Sequence, residues 1–177
     1  MRQKVNAEQL TRLMNAIGRG TKQAARVYLV GGATAVLFGW RETTIDVDLK
    51  IVPEIDEVLR KLPGLKEDLS LNIELASPDD FVPALPGWEE RSSYITRVGA
   101  IEFFHYDFYG QALAKIERGH TTDVKDVREM IERGLVDPAR LLELFSRVED
   151  KLYKYPAIDA ESLRKAVEQI IESHKRN

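Results

Sequence analysis

Leu10, Leu13, Met14 and Ile17 recur at intervals of three and four behind Asn6, a side chain suited to capping a helix. This spacing predicts one amphipathic helix, ended by the Gly18-Arg19-Gly20 segment. The apolar run Arg26 to Val30 meets Gly31-Gly32 and then Ala33 to Phe38, which reads as strand, glycine turn and helix, closed by Gly39. Ile45 to Val52 alternates as a strand with its acids on one side, and Pro53 with Glu54 predicts the opening of a helix to about Leu62. In the next strand, Leu71 to Ala76, the residues Leu71, Ile73 and Leu75 face one way while Asn72 and Glu74 face the other. Pro78 and Asp79-Asp80 end it, 83–91 reads as loop, and Tyr94 to Tyr106 reads as two strands turning at Val98-Gly99-Ala100.

Beyond Tyr106 the period changes from two to 3.6. Helices are expected over Phe108 to Arg118, Asp123 to Arg133, Pro138 to about Leu152 and Asp159 to about His174, separated by Gly119, Gly134 and Pro156. The pattern predicts an α+β chain. Residues 1–106 are expected to form an α/β core, a small sheet flanked by helices, and residues 107–177 an all-helical region packed on it.

Composition narrows the chemistry. A chain of 177 residues is long enough for a real core without staples, and the absence of cysteine excludes thiolate metal sites, thiol nucleophiles and disulfides. The histidines, His105, His120 and His174, are scattered, so a metal site must rest on carboxylates and would favour a hard cation, Mg2+ or Mn2+. A formal net charge of −3 argues against a surface that is everywhere a trap for duplex nucleic acid, while allowing a local basic groove. No apolar run approaches the ~18 residues of a membrane span, and a soluble cytoplasmic protein is expected.

Residues two apart on a strand share a face, so Asp46 and Asp48 present neighbouring carboxylates, whose repulsion a divalent cation would relieve. The bland alternative is two solvated acids on an edge strand. Gly31-Gly32 favours the sharper reading, because a glycine turn into a helix lets phosphates approach backbone N–H groups. The intervening stretch, 33–45, is about one helix and a turn back into the neighbouring strand.

Val30-Gly31-Gly32 followed by Asp46-Val47-Asp48-Leu49 resembles the signature of the DNA polymerase β-type nucleotidyltransferase superfamily. Arg41-Glu42-Thr43-Thr44 resembles the stretch before the acids in the AbiEii-type toxin branch. Ala112 to Arg118 followed by Asp123 to Val127 resembles that branch's later motifs, a lysine on one helix and an aspartate at the start of the next.

The resemblance implies a small mixed nucleotidyltransferase sheet in which Asp46, Asp48 and Glu74 hold the metal and Glu74 helps to deprotonate the acceptor hydroxyl. It also implies that Lys115 neutralises the triphosphate, and that Gly31, Gly32, Thr44, Arg118 and Asp123 contribute to nucleotide binding, with Asp126 an alternative to Asp123. The implied reaction moves an NMP from an NTP to a hydroxyl, with RNA such as a tRNA end as acceptor and a cognate antitoxin as partner. Arg91, Arg97, Lys115, Arg118 and Lys125 are candidates for a basic groove. The alternative is a catalytically silent nucleotide-binding or antitoxin-like module of the same fold. Without a ligand role, Lys115 and Arg118 read as surface charges, Asp123 as a helix cap and His105 as a polar filler; a contact of Asp123, or of Asp126 one turn later, with Lys115 is the sharper alternative to the cap.

Overall fold

The computed structural model describes residues 3–176. The chain divides into two compact units, Met1–Ser77 with Ser92–Tyr106, and Pro78–Arg91 with Asp107–Asn177.

The first unit opens with α1 (Ala7–Gly18), where Asn6 and Gln9 cap each other's backbone N–H groups reciprocally. It continues through β1 (Ala25–Val30), α2 (Gly32–Phe38), β2 (Asp46–Val52), α3 (Asp56–Asp68) and β3 (Asn72–Leu75). The strands β4 (Ser93–Val98) and β5 (Ile101–His105) complete a five-stranded sheet in the order β3-β2-β1-β5-β4. Pairing is parallel for β2–β3 and β1–β5 and antiparallel for β1–β2 and β4–β5, so the sheet is mixed, as the resemblance implies.

One sheet face is apolar because every second residue of the strands points into it. Val27, Leu29, Val47, Leu49, Ile51, Ile73, Ile101 and Phe103 pack with Leu10, Leu13 and Ile17 of α1, Val36 of α2, and Val58 and Leu62 of α3. Burying each such side chain contributes roughly 1.5–3 kcal/mol, so the α1 stripe alone fixes which way the sheet faces. The polar partners in each alternation, Asp46, Asp48, Lys50, Asn72 and Glu74, fall on the opposite face.

Two helices differ from expectation. α3 starts later than Pro53, at Asp56, whose carboxylate and that of Glu57 suit the positive end of the helix dipole. It then runs through Pro63 to Asp68, giving up one backbone hydrogen bond, because Leu62 stays buried and Leu65 and Leu69 continue to pack on the core.

The second unit contains a 3-10 turn at Pro78–Asp80, a short helix α4 (Trp88–Arg91) within the expected loop, α5 (Phe108–Arg118), α6 (Thr121–Glu132), α7 (Pro138–Ser146), a 3-10 segment at Glu149–Lys154 and α8 (Ala160–Lys175). Aspartates cap three of these helices: Asp107 accepts from Tyr109, Asp137 from Arg140 and Asp159 from Ser162. The single helix expected from Pro138 to Leu152 is broken. At Arg147 and Val148 the backbone donates to residues three back, Val148 is fully buried, and Glu149 pairs with Arg164 of α8 through both carboxylate oxygens. Among the described residues, no helix is long and apolar enough to cross a membrane.

Candidate active site

In the parallel β2–β3 pair, Asp46 stands beside Asn72 and Asp48 beside Glu74, so four polar side chains form a square on the sheet face away from the core. Asp46 and Asp48 are half-buried and Glu74 is exposed. The Asn72 amide nitrogen donates to Asp46 Oδ1 at 2.5 Å and to Glu74 Oε1 at 3.1 Å, tying a carboxylate from each strand to one amide. Sequence reading passed over Asn72, whose only signal was its place on the polar side of a strand. Its pairing depends on which strands are neighbours, which alternation does not specify.

β1 delivers the glycine bend to the same corner. Val30 pairs with Asp48, and the next residue, Gly31, has φ 63° and ψ −123°, a conformation open to glycine and strained for residues with a Cβ. A Cβ on Gly31 would lie 3.6 Å from Asp48 Oδ2. Gly32 is required for a different reason: a Cβ there would fall 2.0 Å from Thr44 Oγ1 and 2.7 Å from Thr44 Cβ, with an Arg41 guanidinium nitrogen at 3.5 Å. Thr44 has little room to yield, since its backbone pairs with Val5 through bonds of 2.7 and 2.9 Å and its hydroxyl donates to the Asp46 carbonyl at 3.2 Å. Gly31, Gly32, Thr44, Asp46, Asp48 and Glu74 are thus neighbours within the first unit. Gly32→Ala is expected to cost about 1–3 kcal/mol in urea unfolding through overpacking against Thr44. Gly32→Ala that costs as much in a Thr44→Gly background, which lacks both of those atoms, as in the unaltered chain would leave that steric account without support.

Among the described residues, no group of three or more His, Asp or Glu side chains closes into a metal cage. The donor set nonetheless suits a hard divalent ion. Mg2+ characteristically takes one or two carboxylates from the protein and fills its octahedron with water and phosphate oxygens, and Asp46 and Asp48 supply that pair.

Lys115, Arg118 and Asp123 lie in the second unit, engaged with one another. Lys115 Nζ is 2.7 Å from Asp126 Oδ2 and 3.6 Å from Asp123 Oδ1, all three side chains being buried. Arg118, largely exposed, clamps Asp123 with two bonds of 2.8 and 2.6 Å, and Asp123 also accepts the His120 N–H at 3.3 Å. Burial pushes the Asp123 carboxyl up, but the Arg118 bonds and charge, the Lys115 charge and the His120 N–H more than offset this and hold it below the ordinary aspartate range. Both candidate aspartates therefore meet Lys115, and α6 begins at Thr121 with Asp123 reaching back to cap it. Arg91 is similarly engaged, forming a two-bond pair with the fully buried Asp107 at 3.1 and 2.8 Å.

His105 is a core residue. Its Nδ1 lies 3.1 Å from Thr34 Oγ1 and its ring 4.7 Å from that of Phe38, and burial lowers its pKa from 6.5 to about 4. The unfolded chain takes up this proton below about pH 6.5 and the folded chain only near pH 4. The stabilisation is therefore complete above 6.5 and is lost as pH falls through that window, by about 3 kcal/mol. Urea midpoints at pH 7 and pH 4.5 should differ by correspondingly less in His105→Gln, and an equal acid loss in the variant would refute the assignment.

A family model described as nucleotidyltransferase of unknown function (DUF6036) matches residues 8–175, a span that includes both the carboxylate corner and the Lys115 network. No curated protein and no solved structure matches the chain.

Proposed function

The chain belongs to the DUF6036 family of nucleotidyltransferases of unknown function, and on that premise we propose that it transfers a nucleoside monophosphate from an NTP to a hydroxyl acceptor at the corner formed by Asp46, Asp48, Glu74 and the Gly31-Gly32 bend. The observation that carries this reading is the approach of Gly31 to Asp48, which puts an acidic pair beside backbone that lacks side chains.

Asp46 and Asp48 would hold Mg2+ or Mn2+, with Glu74 adjoining in register with Asp48. When bound, the ion supplies charge neutralisation on the phosphates and on the attacking and leaving oxygens. The protein's own part is positioning. The strand pair fixes the carboxylates, Gly31 and Gly32 leave the backbone accessible to the polyphosphate, and Thr44 props Gly32. Glu74, the most exposed of the three acids, is suited to accept the proton of the acceptor hydroxyl. Lys115, Arg118 and Asp123 enter as the ion network that locks α6 to α5. A direct Lys115 contact with the triphosphate is the sharper alternative.

In its finer form the reading is that of an AbiEii-like toxin acting on RNA in the cytoplasm under a cognate antitoxin, supported by the Arg41 to Thr44 stretch and the two acidic motifs. The Asn72 amide between Asp46 and Glu74 favours the second reading, a silent nucleotide-binding module, because it satisfies two carboxylates that a cation would otherwise engage.

Incubation with Mg2+ and each α-labelled NTP, alone and with total tRNA, separates these. Label moved to RNA or to protein supports transfer, nucleotide binding without transfer supports the silent module, and the absence of any nucleotide binding removes both.

A further inference from the structure

The sheet face that carries the carboxylate corner also bears, across β1, β5 and β4, a patch with no part in that chemistry. Tyr94 of β4 pairs with Phe104 of β5, and Phe104 with Tyr28 of β1, so three aromatic side chains form a row across the strands. Their rings interlock: Tyr94 stands edge-on to Phe104 at 5.7 Å and Phe104 lies 5.5 Å from Tyr28. Tyr28 is buried at 1% exposure and anchors the row, whereas Tyr94 is 60% exposed at its outer end. A second row, one step along the strands, sets Arg97 of β4, Glu102 of β5 and Arg26 of β1 side by side. The Arg26 guanidinium lies over the Phe104 ring at 5.2 Å and 3.5 Å from Glu102.

An exposed tyrosine beside a guanidinium spread on an aromatic ring offers two flat surfaces on which unstacked bases can lie. Arg26 and Arg97 outnumber Glu102, so the patch is cationic in a chain whose net charge is −3. An apolar partner would want the aromatics without the arginines, and an acidic protein surface would not need the rings. Flat rings with alternating cations suit a single-stranded polynucleotide, whose bases stack while its phosphates meet the charges.

We propose that the Tyr94–Phe104–Arg26–Arg97 face binds single-stranded nucleic acid. From Asp48 its aromatic pair, Phe104 and Tyr94, lies one two-residue step along the strands and two to three strands across, roughly 12–16 Å at ordinary sheet spacings, and its arginines lie one step further along, at roughly 14–20 Å. This is the span of a few nucleotides, so a strand held there has its end within reach of the corner. The assignment stands on residues of β1, β5 and β4 that lie outside the corner and does not need the transfer reading.

The test is anisotropy with fluorescein-labelled 12-mers of single-stranded RNA, single-stranded DNA and duplex, using the full chain at low salt without Mg2+ or nucleotide. Single strands should bind more tightly than duplex, the RNA and DNA arms reporting whether the 2′-OH matters. Tyr94→Ala should weaken binding roughly 5- to 150-fold, with Tyr94→Phe restoring it. Arg26→Gln with Arg97→Gln should flatten the logarithmic salt dependence by about 1.4. The Asp46→Asn/Asp48→Asn chain, which loses two negative charges near the strand's end, should bind at least as tightly as the unaltered chain, and this separates failure here from failure of the transfer reading. Oligonucleotides that do not bind at low salt, as a protein-docking face would leave them, equal affinity for duplex, or unchanged binding by Tyr94→Ala would each overturn the proposal.

Discussion

Replacing Asp46 and Asp48 together by Asn is expected to lower nucleotidyl transfer by about 10³-fold or more while leaving the chain folded. The amide keeps the shape of the carboxylate but loses its charge, and metal-borne neutralisation of developing charge is worth several kcal/mol, each ~1.36 kcal/mol being tenfold in rate. Nothing comparable opposes it in the folding balance. The two side chains are one strand repeat apart, about 7 Å, where like charges in water repel by only roughly 0.6 kcal/mol, and an Asn Oδ1 at position 46 can still accept from the Asn72 amide, so thermal stability should change little. The same variant should lose any Mg2+-dependent rise in melting temperature, a readout that does not rely on knowing the acceptor. Transfer that survives in the double variant would sink the assignment, and so would a Mg2+ shift that persists undiminished.

Elements whose boundaries are set by local chemistry were legible in the sequence. Asn6 caps α1 and Phe108–Arg118 is the helix that its period predicts, because cap, apolar face and closing glycine all lie within a few residues. The approach of the glycine bend to Asp48 was also legible, since a strand, a short helix and a return strand leave few ways to arrange 31 against 48. What escaped depended on contacts distant in sequence. Pro63 sits inside α3 because the core holds the leucines on either side of it, and α7 stops where Val148 sinks and Glu149 meets Arg164. Pro78–Arg91 groups with the helices that begin thirty residues later, counting from Pro78 to Phe108, an association with no local signature. Asn72 belongs to the same class, since its two carboxylate partners are assigned by register. Lys115 is an intermediate case: a contact with Asp123 or Asp126 is one of the alternatives that the sequence offers, and only the fold reveals that the lysine is buried and that α6 brings both aspartates to it.

That burial makes Lys115→Met the substitution with the largest expected effect on folding, about 3–5 kcal/mol in urea unfolding. Removing one member of a buried ion pair leaves the other charge desolvated, and the loss of that compensation exceeds what the pair contributed. It should fall mainly on Asp126, whose Oδ2 faces the ammonium at 2.7 Å, because Asp123 keeps both Arg118 bonds and the His120 N–H. A Lys115→Met/Asp126→Leu double variant should therefore recover most of the stability, the gain measuring the coupling between the two residues. The comparison also decides between the two roles. A lysine whose business is the triphosphate would, on becoming methionine, cost transfer and nucleotide affinity with less than ~1 kcal/mol of stability, and the Asp126→Leu partner change would rescue nothing. A lysine that locks α6 to α5 costs stability first, and in the double variant nucleotide binding returns along with the fold.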